Sequence, residues 1–254
     1  MKRFQSITAK GAPLIAFAAV LALWLLLCEG ELVPAYMLPS PGEVARAFVS
    51  DLPLLLSHAA VTLQEAMYGL LIGIALAFIL AALMDRFAFL YRALYPLLVV
   101  TQTIPTIAIA PLLVLWMGFG MAPKITLVVI TTFFPVAVGL LDGFRSADAD
   151  AIALFRTMGA GRGQIFFHIK LPGALGHFFA GLRVSASYAV VGAVISEWLG
   201  GFEGLGVYMT RVKKAYAFDK MFAVIVLISV ISLLLMLAVS LLQKLVMPWQ
   251  RQEK

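Results

Sequence analysis

Apolar residues in this chain come in long unbroken runs. They show neither the period-two alternation of a half-buried strand nor the single stripe of a surface helix. Six runs stand out, at residues 13–28, 64–84, 94–116, 125–144, 178–199 and 221–246. Crossing about 30 Å of hydrocarbon takes about 20 helical residues. The runs therefore predict an all-α integral membrane protein with six spans. A barrel would show alternating segments of about ten residues instead, and isolated strands leave backbone groups unsatisfied in lipid. Pro105 and Pro111 interrupt the third run and Pro135 the fourth. Proline frees backbone carbonyls, so these positions point to protein or water nearby.

Composition supports lipid as the main solvent. The 254 residues are 63% hydrophobic and 13% charged, with a mean hydropathy of +1.01. A soluble domain has about a quarter of its residues charged. The net charge of +6 does not point to nucleic acid, because the basic residues sit at the ends of apolar runs. That is where a membrane protein carries its orientation signal. With the N-terminus inside, Lys2, Arg3, Lys10, Arg86, Arg92, Arg145, Arg156, Arg162, Lys170, Lys244, Arg251 and Lys254 fall inside. Fewer basic residues fall outside, and the first outer segment carries Glu29, Glu31, Glu43 and Asp51. Both termini are expected to be cytoplasmic. Cys28 is the only cysteine and the three histidines are scattered, so no disulfide or metal centre is expected. The basic start and the run to Cys28 also fit a signal peptide. Leu27, however, stands where a cleavage site needs a small residue, so the run is taken as a first spanning helix.

Two connections are long. Residues 29–62 hold Pro34, Pro39, Ser40, Pro41 and Gly42, and a short helix is expected to start at Pro41. Residues 145–177 lie inside. There Asp148 or Asp150 can cap a helix whose apolar positions are Ile152, Phe155 and Met158, and Gly159 and Gly161 end it. A second short helix and Pro172 then lead back into the membrane. By periodicity alone this amphipathic helix either lies on lipid headgroups or binds a partner.

The same loop carries a resemblance. Gly159, nine residues, then Ile169-Lys170-Leu171-Pro172 resembles the loop pattern of binding-protein-dependent ABC permeases. In that family the pattern is Glu-Ala-Ala, three residues, Gly, nine residues, Ile-x-Leu-Pro. Here the first part falls on Ala153-Leu154-Phe155, so its acidic residue is missing. Leu38-Pro39-Ser40-Pro41, Gln102-Thr103-Ile104-Pro105 and Glu197 with Gly204-Leu205-Gly206 are similar to the sulfonate, taurine, nitrate and thiamine-precursor branch. The overall texture is nearest to permeases for hydroxymethylpyrimidine-type thiamine precursors.

The resemblance implies a type I importer (MetI-like) permease fold. It would be one domain over 1–254, with a first helix at 1–28, a five-helix core at 58–246 and a coupling loop at 145–177. It implies a permease homodimer in a bacterial inner membrane, two ATPase subunits and a periplasmic or lipid-anchored binding protein. This chain would be no enzyme and would hold no cofactor, since it lacks a phosphate-binding Gly-x-x-x-x-Gly-Lys motif. ATP and Mg would sit on the partner ATPase. The ATPase-coupling residues implied are Ala153, Leu154, Phe155, Met158, Gly159, Ala160, Arg162, Ile169, Leu171 and Pro172. The substrate would be a small polar nutrient: a thiamine pyrimidine precursor first, with sulfonate, taurine, nitrate or bicarbonate as alternatives.

Other polar residues in apolar surroundings are candidates for a translocation path. Thr101, Gln102, Thr103 and Pro105 are assigned to a path wall, and Glu197 to its outer mouth. Glu65 and Arg183 are expected to snorkel to the interface from span ends. Trp249 reads as an interfacial anchor, and Gly69 and Gly73 form a Gly-x-x-x-Gly pair that permits close helix approach. An ion-coupled secondary transporter would need paired mid-span carboxylates, and a membrane enzyme would need clustered acids or histidines at span depth. The sequence shows neither pattern.

Overall fold

The computed structural model describes residues 2–30, 34 and 37–251, with side chains described for residues 12, 15–30, 34 and 37–249. All regular structure among them is helical. The helices are α1 (Lys2–Glu29), α2 (Pro41–Ser50), α3 (Leu52–Arg86), α4 (Ala88–Thr101), α5 (Thr106–Met117) and α6 (Met121–Arg145). They continue as α7 (Ala149–Thr157), α8 (Arg162–Ile165), α9 (Leu171–Glu197), α10 (Leu205–Lys214) and α11 (Phe218–Val246). A π turn, Phe166–Lys170, joins α8 to α9. Glu31 and the basic Lys254 lie outside the described residues.

Four stretches are long and apolar enough to cross a membrane: Leu52–Arg86, Met121–Arg145, Arg162–Glu197 and Phe218–Val246. α4 and α5 together make a fifth if a bent pair counts as one span. The expectation of one interrupted helix over 94–116 is therefore corrected. The chain breaks at residues 102–105 and turns by 100°. Pro105 stands at the break, whereas Pro96 and Pro111 are carried inside α4 and α5. Two further boundaries move. α3 starts at Leu52, well before residue 64, because Leu54, Leu55 and Leu56 extend the apolar helix backwards. The fifth span begins at Arg162, so the short second helix expected in the loop is the start of the span itself.

The contacts define two compact units. The first comprises residues 1–56 and 208–227. In it α2 starts at Pro41 as expected, and Ser40 caps it. Its hydroxyl accepts the Glu43 N–H at 3.3 Å, and the Glu43 carboxylate accepts the Ser40 N–H at 2.8 Å. The hydrogen bond from the Ser40 backbone holds the Glu43 carboxyl below its usual range. Val44 and Ala47 of α2 bury against Ala223 of α11, flanked by Trp24 and Phe222. The Trp24 indole donates to the Pro39 carbonyl at 3.1 Å. Asp51, at the end of α2, pairs with Lys220 at 2.8 Å and accepts the Tyr208 hydroxyl at 2.7 Å. The Lys220 and Tyr208 hydrogen bonds hold the Asp51 carboxyl below its usual range. Burial, and then the Asp51 contact, push the Tyr208 hydroxyl up.

The second unit comprises residues 57–207 and 228–254. Its centre is the pair α6 and α9, which approach so closely that side chains are excluded at the crossing. A Cβ on Gly139 would lie 2.7 Å from the His177 carbonyl oxygen, and one on Gly143 would lie 2.6 Å from Ala174 Cα. From the other side, a Cβ on Gly181 would overlap the Pro135 carbonyl. Pro135 removes one internal hydrogen bond from α6. Beside it the buried Ser185 hydroxyl donates to the Thr132 carbonyl at 2.6 Å. α3 uses its Gly-x-x-x-Gly pair in the same way, with Gly69 against Val128 and Gly73 against Thr132 of α6. The core built on these crossings holds Met84, Val136, Leu140, Phe144 and Phe179.

Two outcomes are expected. Gly143→Ala should destabilise the purified protein by about 1–3 kcal/mol through overpacking, whereas Gly173→Ala, with open space around it, should be neutral or slightly stabilising. Thermal unfolding in detergent compares them. Asp51→Asn should cost about 1–2 kcal/mol at neutral pH, discounted because Lys220 is 38% exposed. A depressed carboxyl pKa stabilises fully above its unfolded value and is lost as pH falls through the folded one. The gap between Asp51→Asn and wild type should therefore close below about pH 4.

Candidate functional site

The loop between α6 and α9 is built around α7. Asp148 caps it, its Oδ1 accepting the Asp150 N–H at 2.9 Å. Asp150 in the first turn and Arg156 in the last complement the helix dipole. At the far end the Gly159 N–H donates to the Arg156 carbonyl at 3.0 Å, and the Ala160 N–H to the Phe155 carbonyl at 2.9 Å. This is a Schellman cap, which needs a left-handed residue at Gly159. Gly159 has φ +82°. The loop glycine is thus required by the helix end itself.

The cap leaves α7 short and exposed. Leu154 is 59% and Met158 75% exposed, while Ile152 and Phe155 are half-buried. Ala153, Arg162 and Pro172 are exposed, and Ala160, Ile169 and Leu171 are half-buried. The Gln164 side chain accepts the Gly161 N–H at 2.8 Å and starts the next helix. Ile165 is buried, and Phe166 packs on Phe144 with ring centroids 5.2 Å apart. Pro172 follows the π turn, at the change of hydrogen-bond register. Lys170 pairs with Asp85 of α3 at 2.6 Å. The named loop residues thus form one continuous structure, from the capped α7 to the start of α9.

Thr101, Gln102, Thr103 and Pro105 come together at the bend between α4 and α5, all exposed. The Thr101 and Thr103 hydroxyls donate back to the Leu98 and Val100 carbonyls at 2.7 and 2.8 Å. They satisfy part of the helix end that the break opens.

Glu197 is placed elsewhere. It is 1% exposed at the end of α9, the opposite end from the loop. Its Oε1 accepts the Thr62 hydroxyl at 2.7 Å and its Oε2 the Gly206 N–H at 2.6 Å. The Leu205 N–H donates to Thr62 at 2.8 Å, and the Gly204 N–H to His58 Nδ1 at 3.0 Å. Gly204 has φ +120°, and a Cβ there would overlap the Glu197 carboxylate. In this chain Glu197 pins the segment 204–206.

Snorkelling is corrected for Glu65. Glu65 lies well inside α3, fully buried, with its Oε1 2.7 Å from Lys124 Nζ. Its Oε2 has no hydrogen-bond partner among the described residues. Glu65 and Lys124 both act electrostatically on Glu197. Arg183 donates to the Gln243 side chain of α11. Two buried carboxylates, Glu65 and Glu197, thus gather where α6 begins and α9 ends, tied to a lysine, a threonine and a backbone N–H. His58, Thr62 and Glu65 share one face at i, i+4 and i+7. That stripe was readable had the helix been started at Leu52.

The fold, with long apolar helices joined by a capped loop, is that of a multi-pass membrane protein. Residues 69–252 match the family described as "Binding-protein-dependent transport system inner membrane component", and the chain belongs to it. It is an ABC importer permease subunit, a multi-pass membrane protein and not an enzyme. The formylaminopyrimidine transport permease protein ThiX of Halalkalibacterium halodurans is 36% identical over 242 residues, covering 95% of this chain and 96% of that one. The putative aliphatic sulfonates transport permease protein SsuC of Bacillus subtilis is 29% identical over 236 residues, covering 92% and 85%. A solved structure titled as inward facing conformations of the MetNI methionine ABC transporter shares the fold. Its TM-score is 0.67 at 20% identity, covering 76% of this chain and 96% of that one.

Glu197→Leu should strand the Gly206 N–H and leave the Thr62 hydroxyl only its longer bond to the His58 carbonyl at 3.2 Å, and Gly204→Ala should add backbone strain and a clash. Each is expected to cost more than about 2 kcal/mol. Thermal unfolding with size-exclusion of the detergent-purified protein reads the loss. Wild-type melting in either variant would remove the pinning role.

Proposed function

We propose that this chain forms the path of an ABC importer for a small polar organic nutrient, with α7 as the handle through which an ATPase moves it. The observation that carries the proposal is the exposed face of Leu154 and Met158 on a helix capped at both ends and held between two spans. An apolar face presented on so short a rigid element suits a groove on a partner protein. In this reading the chain is a single domain with six spans and both termini cytoplasmic, in a bacterial inner membrane. Two copies form a homodimer with two ATPase subunits, which hold ATP and Mg, and a periplasmic or lipid-anchored binding protein delivers the substrate. ATP-driven closure would rock the helices between inward- and outward-facing states. The polar bend at Thr101, Gln102, Thr103 and Pro105 would border the path, where exposed backbone is tolerated beside water. Glu197 would act on the outer mouth by fixing segment 204–206.

The substrate proposed first is a thiamine pyrimidine precursor of the hydroxymethylpyrimidine type, supported by the 36% identical formylaminopyrimidine permease. Sulfonate or taurine is the second candidate, supported by the 29% identical sulfonate permease. Nitrate or bicarbonate is the third.

Co-expression with the genomically neighbouring ATPase and binding protein tests the assignment. The wild-type chain should retain the ATPase and import labelled hydroxymethylpyrimidine in preference to taurine. Leu154→Asp combined with Gly159→Val should lower ATPase retention by about 10-fold or more, with the chain still in the membrane. Full retention and transport in that variant would sink the docking role.

A further inference from the structure

The loop end of the second unit carries a cavity of about 690 Å³ between the last turn of α3 and the start of the α8–α9 run. Its polar wall is Arg86, Arg156, Arg162 and Lys170, with one carboxylate, Asp85. Asp85 is taken by Lys170 at 2.6 Å. No carboxylate is paired with Arg86, Arg156 or Arg162 among the described residues. Helix dipoles explain two of the three, since Arg86 and Arg156 lie in last turns, where a cation is favoured. Arg162 opens a helical run of 36 residues, the end where a cation is disfavoured. An anion bound there would offset that unfavourable placement.

We propose that this cavity seats the phosphate headgroup of an anionic phospholipid. The guanidinium fork matches phosphate oxygens in pairs. The spans Leu52–Arg86 and Arg162–Glu197 both end at the cavity, which sets it at the loop-side end of the bundle, where apolar helix gives way to basic residues. Basic pockets between such helix ends are suited to anionic headgroups. The rest of the wall is apolar, with Ala82, Ile165 and Phe166 continuing from the spans. A free phosphate would find no use for that wall, whereas a lipid would lay its glycerol and first methylenes on it. The bound lipid would tie α7 and the start of α9 to α3 through a shared anion. This inference rests on the membrane-spanning fold and does not depend on ATPase docking.

Native mass spectrometry of the full-length chain in mild detergent tests it. The protein is offered equal phosphatidylglycerol and phosphatidylcholine, with inorganic phosphate in a parallel sample. Wild type should retain phosphatidylglycerol in preference. Arg162→Gln alone should weaken that preference by about 5-fold, and Arg86→Gln with Arg156→Gln added should abolish it. Lys213→Gln with Lys214→Gln, on α10, should leave it intact. Equal retention of the two lipids by wild type would overturn the proposal, as would an unchanged preference in Arg162→Gln. Binding of inorganic phosphate without lipid preference would overturn it too. If the triple variant loses the co-expressed ATPase but keeps its phosphatidylglycerol, the arginines serve a protein partner and the lipid site is refuted. Should the triple variant fail to fold, the single variant decides.

Discussion

Helices in hydrocarbon gain little from burying apolar surface against one another, because lipid tails are as apolar as leucine. What holds them is close contact, and here the contact depends on missing side chains. Gly139, Gly143 and Gly181 remove the Cβ atoms that would keep α6 and α9 apart. The rest of the second unit is arranged around that crossing. α3 reaches α6 through Gly69 and Gly73, the loop follows from where α6 ends, and Glu197 stands where α9 ends.

The same solvent makes buried polar groups costly, and the chain keeps several. Glu65, Lys124, Thr62, Glu197 and His58 are nearly or fully buried. Removing one partner of such a set leaves another charge or donor unsatisfied, which costs far more than the pair gains. The network therefore serves placement more than net stability. It fixes the chain after α9, where Gly204 and Gly206 let the backbone reach the Glu197 carboxylate. The opposite end of α9 has the reverse character, with an exposed apolar helix and a rim of arginines. One helix thus joins a locked end to an end built for contact.

Local physics is legible in the sequence. Apolar runs mark the four long spans, Pro41 and Glu43 mark the start of α2, and the Asp148/Asp150 pair and Gly159 mark the two ends of α7. The loop spacing gave the family. The placement of Glu65 has one cause. Starting the second span at Gln64 placed Glu65 at a helix end, where snorkelling is reasonable. Leu52–Leu56 had already begun the helix, so Glu65 was interior and needed a partner. Lys124, one residue before the apolar run 125–144, lies in the first turn of α6, buried beside Glu65.

By itself the sequence determined that the chain is helical, lipid-solvated and equipped with a capped loop helix. Each of these follows from hydrophobic run length, caps and turn residues within a few positions of one another. Only the tertiary structure decided which polar residues meet. Glu65 with Lys124, Thr62 with Glu197 and Lys170 with Asp85 are 59, 135 and 85 residues apart. It also decided that the third run folds as two helices at 100°. Such pairings are set by which helix faces cross, and no local pattern encodes a crossing.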